Sequence, residues 1–589
     1  MANISSVMKK PKDAKGALRR ILSYIAEYKF ILLLVIVLSV ASNVFALLGP
    51  NLAGSAINEA AAGAGKVNFD MIMYYVKRML LFYVTSSLMT ILINIVMTHV
   101  SKLVARNMRR DVFNKLMRLP VGFFDTNQAG DIISRVSYDI DVVSTCLSTD
   151  IVSILTSVVT VVGSLIMMLT ISPLLSVVVI FTIPISIYYA AWLRKRTQPR
   201  YAKRSKNYGI MNGFVEEMFS GQKTIQAYAY EDRVCENFDT VNNNAANSYY
   251  EADYYGMTGG ATMNCISNIS LALIAMLGAI SFMFGAVDLG QISSFVLYSR
   301  KFSGPINEFA NIINEIFSAL SAAERVFRLL DEEEEVADTE NAKTLENVEG
   351  HVAMEHVSFG YLPDKIILHD LNLDAQPGKL VAIVGPTGAG KTTIINLLMR
   401  FYDVNSGRIL VDGGESRDYT RSSLRGAYAM VLQDTWVFHG TIFENIAYGK
   451  EDATMDEVVA AAKAAHIHPF IMRLPEGYNT VISEDGGNIS KGQKQLLTIA
   501  RALLYDAKML ILDEATSNVD TGTERQVQAA MRDLMKDKTC FTIAHRLSTI
   551  QHADSILVVN HGDVVEQGTH EELMQKKGFY YSLYASQFE

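Results

Sequence analysis

Glycine, lysine and threonine recur in Gly385-Pro386-Thr387-Gly388-Ala389-Gly390-Lys391-Thr392 at the G-x-x-x-x-G-K-[ST] spacing of a phosphate-binding loop. Glycines leave backbone N–H groups bare enough to approach phosphate oxygens. Lys391 can reach the terminal phosphates, and the Thr392 hydroxyl can hold Mg²⁺. Thr393 is assigned to the same nucleotide-binding set. Two successive carboxylates, Asp513 and Glu514, follow the apolar run Met509-Leu510-Ile511-Leu512. Asp513 is placed to hold the Mg²⁺ shell, as the acid after a buried strand does in phosphate-loop enzymes. Glu514 is placed to polarise a water for in-line attack on a γ-phosphate. The chemistry expected is therefore hydrolysis of ATP, with Mg²⁺.

Such groups need a strand, a loop and a helix to hold them. Leu380-Val381-Ala382-Ile383-Val384 has the length of a buried strand, and Ile394, Ile395, Leu397, Leu398 and Phe401 recur at helical spacing. A helix starting there points its free N–H groups at the phosphates. Residues 509–512 make a second buried strand. Val352, Met354, Val357 and Phe359 alternate as in a strand, and Asn560-His561-Gly562-Asp563 reads as a hairpin turn. An α/β domain is thus expected over 348–589.

The rest of the chain has a different character. At 589 residues it is too long for one domain, and with half its residues hydrophobic and 19% charged it does not read as purely soluble. The net charge of −8 gives no bulk argument for a nucleic-acid partner. Cys146, Cys235, Cys265 and Cys540 lack C-x-x-C spacing, so neither a metal nor a disulfide framework is expected. The N-terminus is polar and basic, without a cleavage pattern. Apolar runs at 30–49 and 79–97 are each long enough to cross a hydrocarbon core of about 30 Å. The run 151–193 is free of charge and divides at Ser172-Pro173 into two spans; 257–287 is the fifth. A sixth, 292–329, is interrupted by Arg300, Lys301, Glu308 and Glu315.

Lysines and arginines precede the first span and follow the second and fourth, placing both termini and two long connections in the cytoplasm; the membrane expected is the plasma membrane. Helical periodicity over 103–119 and 208–228 prolongs the membrane helices into the cytoplasm, with 123–135 and 224–232 at their tips. Over 15–29, Leu18, Ile21, Leu22 and Ile25 share one helical face opposite Arg19 and Arg20, the pattern of a helix lying on a membrane surface. The expected layout is an N-terminal segment with interfacial helix (1–29), an all-α transmembrane domain of six helices (30–330), an acidic linker (331–347) and the α/β domain.

Between the two phosphate-site elements stands Asn488-Ile489-Ser490-Lys491-Gly492-Gln493-Lys494-Gln495. It resembles the L-S-G-G-Q signature of ATP-binding cassette (ABC) transporters. With six spans ahead of one cassette, nearly the whole chain resembles a half-transporter of the bacterial multidrug-exporter type. The resemblance implies a P-loop ABC nucleotide-binding domain and further roles at matching positions. Tyr361 would stack on adenine, Gln433 would touch Mg²⁺ and sense the γ-phosphate, and His545 would contact the γ-phosphate as the switch histidine. Ser517-Asn518-Val519-Asp520 matches the loop that crosses to the partner cassette, and Glu484-Asp485-Gly486 the stretch that meets the helix tips. The resemblance also implies a dimer in which one chain's glycine loop and the other's signature (Ser490, Gly492, Gln493) enclose each ATP.

Lys491 departs from the family pattern, standing where the signature has its first glycine. A side chain there should hinder close approach of backbone N–H groups to phosphate, whereas Glu514 and His545 are intact. Family members with this combination resemble one subunit of a heterodimer, so the expected partner is a different half-transporter chain; a homodimer that tolerates the lysine is the other reading. Glu308 and Glu315 share a helical face with Asn311 between them. Facing a cavity, they would attract cationic amphiphiles; otherwise Glu315 lies in the cytoplasmic prolongation. The resemblance implies export of amphipathic or lipophilic compounds, with a lipid or peptide flippase, or an exporter-shaped importer, as the other possibilities.

Overall fold

A computed structural model describes residues 13–63, 65–362, 364–432, 435–483, 486–513, 521–543 and 550–588, apart from the side chains of 306–311, 314, 521, 587 and 588. The chain divides into two compact units, Met1–Leu119 with Thr126–Glu334, and Pro120–Asp125 with Glu335–Glu589.

The first unit is helical. Helix α1 (Ala14–Ala26) is capped by Asp13, whose carboxylate accepts from the Gly16 N–H. It is followed by α2 (Lys29–Ala60), α3 (Phe69–Leu116), α4 (Val121–Thr126, which joins the second unit but for its last residue), α5 (Ala129–Ile171), α6 (Pro173–Ser220), α7 (Gln222–Ala227), α8 (Glu231–Met283) and α9 (Leu289–Leu330). Helices α2, α3, α5, α6 and α8 are long and apolar enough to cross a membrane. The 42-residue α9 is long enough too, but Arg300 and Lys301 lower its hydropathy. At 1.5 Å per residue the 48 residues of α3 and of α6 run about 72 Å. That is more than twice a hydrocarbon core, so the helices do continue well beyond it. The break between α5 and α6 is Ser172, which is extended and caps α6 by accepting from the Leu175 N–H, with Pro173 at the first helical position.

Membrane helices gain little from hydrophobicity against one another and associate by close packing and interhelical hydrogen bonds. Leu47, Met168, Leu175, Val179, Ile274, Phe295, Tyr298 and Phe302 form one such packed layer. Ser42 joins α2 to α3 through the Ser86 carbonyl at 2.9 Å and the Thr90 hydroxyl at 3.0 Å. Within α5 two π-helical turns, Arg135–Asp139 and Cys146–Asp150, rotate the side chains that follow. Asp139, almost fully buried, receives Arg325 of α9 in a two-pronged ion pair at 2.8 and 2.6 Å.

Helix α1 packs on α9 through part of its apolar face. Its buried face is Ala17, Ile21 and Ile25, while Leu18 and Leu22 stay exposed. Arg20, opposite the apolar face, lies over the Phe327 ring at 4.4 Å and pairs with Asp331 at 2.6 Å; Tyr24 stacks on the same ring. The helix is therefore held against α9 by side chains whose polar ends suggested solvent.

The second unit is built on strands β1 (Val352–Phe359), β2 (Leu368–Ala375), β3 (Leu380–Val384), β4 (Ser406–Val411), β5 (Gly414–Glu415), β6 (Tyr428–Val431), β7 (Gly440–Thr441), β8 (Val481–Ile482), β9 (Met509–Asp513), β10 (Thr539–Ile543), β11 (Ser555–Asn560) and β12 (Asp563–Gly568). Six form a sheet in the order β12-β11-β3-β10-β9-β6, parallel except for the β11–β12 hairpin. Both faces are covered, so its strands read as continuous apolar runs rather than alternating ones. A second, antiparallel sheet has the order β2-β1-β4-β5. One core lies between the two sheets, and another packs the far side of the main sheet against α11 (Lys491–Tyr505), counting α10 as Lys391–Leu398. The acidic residues after α9 are not a free linker. Glu335 pairs with Arg425 at 2.5 Å, and Asp338 pairs with Arg421 at 3.1 Å.

Candidate functional site

Strand β3 delivers the chain to the glycine loop at the edge where the parallel strands end. The register there is decisive: Ile383 faces Ile543, and Ile543 faces Asp513. With strands about 4.8 Å apart, Asp513 lies roughly 10 Å across the sheet from the start of the loop. The sequence named both elements; β10 between them is what sets their separation.

Gly390 is the residue before α10 and has φ of +107°, a left-handed conformation in which a side chain is strained. A Cβ there would also come 2.8 Å from Leu368 Cδ2. At Gly385 a Cβ would run into the Val559 carbonyl of β11. These two positions need glycine for different reasons, conformation at one and close approach at the other. The loop is held open by Ala389 N–H to the Pro386 carbonyl at 3.2 Å and by Gly562 N–H to the Ala389 carbonyl at 3.1 Å.

Lys391 is buried at the first position of α10. Its Nζ donates to the Gly385 carbonyl at 2.7 Å and the Pro386 carbonyl at 3.0 Å. Burial pushes the ammonium below its ordinary pKa, while the negative charge of Asp513 pulls it back up. A cation held on two neutral carbonyls, under glycine backbone and beside a helix N-terminus, is a cradle shaped for phosphate. Thr392 is exposed at the next position. Its hydroxyl and the Asp513 carboxylate are hard oxygen donors of the kind that suit Mg²⁺, so the side chains present fit both ATP and its metal.

Tyr361 is half-exposed and braced from below. Its ring packs edge-on against Phe359 and Tyr402, with centroids at 5.1 and 4.9 Å. Its hydroxyl donates to Thr393 Oγ1 at 3.3 Å and accepts from Asn396 Nδ2 at 3.1 Å. Thr393 thus reaches the site through Tyr361. Sequence reasoning missed Asn396 and Tyr402, which fix this ring, because no spacing marks them. The Tyr402 hydroxyl donates to Asp125 of α4 at 2.5 Å, so the residue under Tyr361 also holds the hexapeptide Pro120–Asp125, which belongs to the same unit. Burial and that carboxylate both hold the phenol in its protonated form.

Ser490, Gly492 and Gln493 sit elsewhere, at the N-terminus of α11. Ser490 Oγ accepts from the Gln493 N–H at 3.3 Å, and Gln493 Oε1 accepts from the Ser490 N–H at 2.8 Å, a closed capping box. Ser490 keeps its own O–H to donate, and the N–H groups of the first turn have no helical partner. Lys491 is exposed at the first helical position, and Gly492 is buried. Gln433, Glu514, His545, Glu484, Asp485 and the 517–520 stretch lie outside the described residues.

Residues 32–306 match the ABC transporter transmembrane region family, and residues 368–517 match the ABC transporter family. A relative in Bacillus subtilis, the "Uncharacterized ABC transporter ATP-binding protein YfiC", is 44% identical over 98% of this chain and 96% of its own length. The "Fatty acid ABC transporter ATP-binding/permease protein" of Mycobacterium bovis is 46% identical over 82% of this chain and 76% of its own. A further Bacillus subtilis relative, named as a candidate multidrug export ATP-binding/permease protein, is 37% identical over 82% and 84%. A solved bacterial Atm1-family ABC exporter with ATP bound superposes with a TM-score of 0.75 at 29% identity, over 98% of this chain and 99% of that one. The chain belongs to the ABC transporter family, as an ATP-hydrolysing chain of exporter architecture in which one helical membrane region is fused to one nucleotide-binding domain.

Proposed function

We propose that this chain is one half of a dimeric exporter that moves amphipathic or lipophilic compounds across the plasma membrane, with its termini and nucleotide-binding domain in the cytoplasm. The observation that carries the energetic part is the alignment of Lys391 and Asp513 at one sheet edge. Lys391 exchanges its carbonyl partners for the β- and γ-phosphates of ATP. Thr392, Asp513 and Gln433 would hold Mg²⁺, which would supply positive charge against that of the phosphates. Tyr361 carries the adenine, Glu514 orients the attacking water, and His545 contacts the γ-phosphate. Ser490, Gly492 and Gln493 close on the nucleotide held by the partner. ATP binding draws the cassettes together and favours an outward-facing membrane region; hydrolysis restores the inward-facing one.

The partner we infer is a different half-transporter. Lys491 places an exposed side chain at the first turn of α11, where the family pattern has bare backbone. The competent site then combines this chain's loop and Glu514 with an intact signature on the other chain. Purifying this chain alone tests the assignment: robust ATPase activity from a homodimer would overturn it. Replacing Glu514 by Gln in the assembled transporter should abolish turnover; retained turnover would overturn the catalytic assignment. Fatty acids fall within the proposed substrate class, and one relative carries that substrate in its name.

A further inference from the structure

Three side chains of α9, spaced four and three residues apart on one face, donate to three carbonyls of α2. Ser294 Oγ reaches the Pro50 carbonyl at 2.8 Å, the Tyr298 hydroxyl reaches Leu47 at 2.5 Å, and Lys301 Nζ reaches Ala46 at 2.8 Å. Pro50 stands inside α2 without an N–H, so the carbonyl four residues earlier, that of Ala46, loses its helical donor. Lys301 replaces it. The other two carbonyls are served by neutral hydroxyls, so the task does not call for a charge.

The charge is nonetheless there, at the depth of two apolar runs. Ala46 belongs to the run at 30–49, and the ring of Tyr83, in the run at 79–97, lies 5.7 Å from Lys301 Nζ. Arg300, the preceding residue, is exposed. Among the described residues no carboxylate pairs with either cation. Glu315 is fifteen residues beyond Arg300, about 22 Å along the helix. Glu308, seven residues beyond Lys301, has a side chain outside those described. The Tyr83 hydroxyl makes no hydrogen bond among the described residues and lies against Gly49, where no side chain intervenes. Unpaired cations inside a membrane segment mark a substrate or ion path by default. A few polar groups converging in an apolar setting make the head of a binding site.

Resting on the export reading, we propose that Lys301, with Arg300 and Tyr83, receives the carboxylate head of a long-chain acidic amphiphile while its hydrocarbon tail lies along apolar helix surface. The ammonium keeps the Ala46 carbonyl and adds the carboxylate as a second, stronger partner, since bonds to charged acceptors outrank those to neutral ones. This inverts the preference for cationic compounds that Glu308 and Glu315 suggested.

The test uses the full-length transporter with its dimer partner in phosphatidylcholine nanodiscs, following stimulation of ATPase activity over each variant's own basal rate. The probes are palmitate and its uncharged methyl ester. Palmitate should half-stimulate at a concentration about tenfold below the ester, the size of one charge-assisted bond. Lys301→Gln, which keeps an N–H for Ala46, and Arg300→Gln, whose exposed site makes few demands on folding, should each raise the palmitate value several-fold and leave the ester's unchanged. Equal potency of acid and ester in the unmodified transporter, or no shift in either variant, would overturn the proposal. So would stimulation that follows phosphatidylglycerol content and ignores palmitate, which would assign the cations to a resident lipid. If ATP-driven efflux of an uncharged lipophilic dye by the same transporter in sealed vesicles persists in those cases, the export reading stands and this inference alone has failed; if no efflux occurs, the export reading itself has failed.

Discussion

Replacing Lys391 by Met separates binding from folding at one residue. The ammonium is buried, with bonds of 2.7 and 3.0 Å to carbonyls and the pull of Asp513 as its nearest compensation. Its folded-state pKa is therefore depressed below the unfolded value. For a base, that sign means the charged form is penalised by folding. The penalty is fully present at pH below the folded value and is relieved as pH rises through it. Methionine has similar length and no charge, so it removes the penalty and leaves two carbonyls at a partly open loop. The nucleotide-free protein should melt at an unchanged or slightly higher temperature. ATP, in contrast, loses a charge-assisted hydrogen bond of about 1.5–3 kcal/mol. At 1.4 kcal/mol per factor of ten, affinity should fall roughly 10- to 150-fold. Calorimetric titration of the full-length transporter with a non-hydrolysable ATP analogue measures the affinity, and scanning fluorimetry of the same sample measures melting. An affinity within about threefold of the unmodified protein would refute the phosphate role. A melting temperature lowered by several degrees would refute the electrostatic argument and make Lys391 a structural residue.

Other substitutions have outcomes fixed by the geometry. Gly390→Ala forces a side chain into a left-handed conformation and against Leu368, so a strain of about 1–2 kcal/mol should lower the melting temperature of the nucleotide-binding domain and weaken ATP binding together. Asp139→Asn leaves the Arg325 guanidinium without its counter-charge and should destabilise the membrane unit by about 3–5 kcal/mol, whereas the double change Asp139→Leu with Arg325→Met should restore most of it in denaturant unfolding. Cys540 is buried and its thiol is pushed up to about 12, chiefly by desolvation, so iodoacetamide at pH 8 should modify it only after denaturant is added. Peptide mass mapping of an early Cys540 adduct in the folded protein would contradict that.

Local signals made the nucleotide-binding domain readable because its chemistry is written in contiguous runs. The strands 380–384 and 509–513, the glycine loop and the hairpin turn at His561-Gly562, both residues with φ above zero, each fit in a short window. What could not be read was pairing at a distance. Parallel strands are joined by long crossovers, so nothing local states that Ile543 separates Ile383 from Asp513. The bracing of Tyr361 by Tyr402 and Asn396 is invisible for the same reason. At Ser490 and Gln493 the local pattern carried two meanings. S-x-x-Q before an apolar run is a capping box by its physics, and the box is closed in the structure; the family role has to act through the N–H groups and the one O–H it leaves over.

The membrane region shows the opposite balance, since hydropathy finds spans but is blind to what polar residues do inside them. Arg300 and Lys301 lower the hydropathy of α9, yet Lys301 is tied to α2 through the Ala46 carbonyl at 2.8 Å. The cause is Pro50, which lies in α2, and no local window of sequence contains both residues. Seen this way, Lys301 and Lys391 are two cases of one arrangement. Each ammonium rests on a backbone carbonyl next to or opened by a proline, Ala46 in one case and Gly385 and Pro386 in the other. A neutral carbonyl is a weaker acceptor than an anion, so each cation gains when an anionic ligand arrives. At Lys391 the ligand we propose is a phosphate. The same physics, applied at Lys301 in surroundings that solvate charge poorly, is what makes a carboxylate its natural partner.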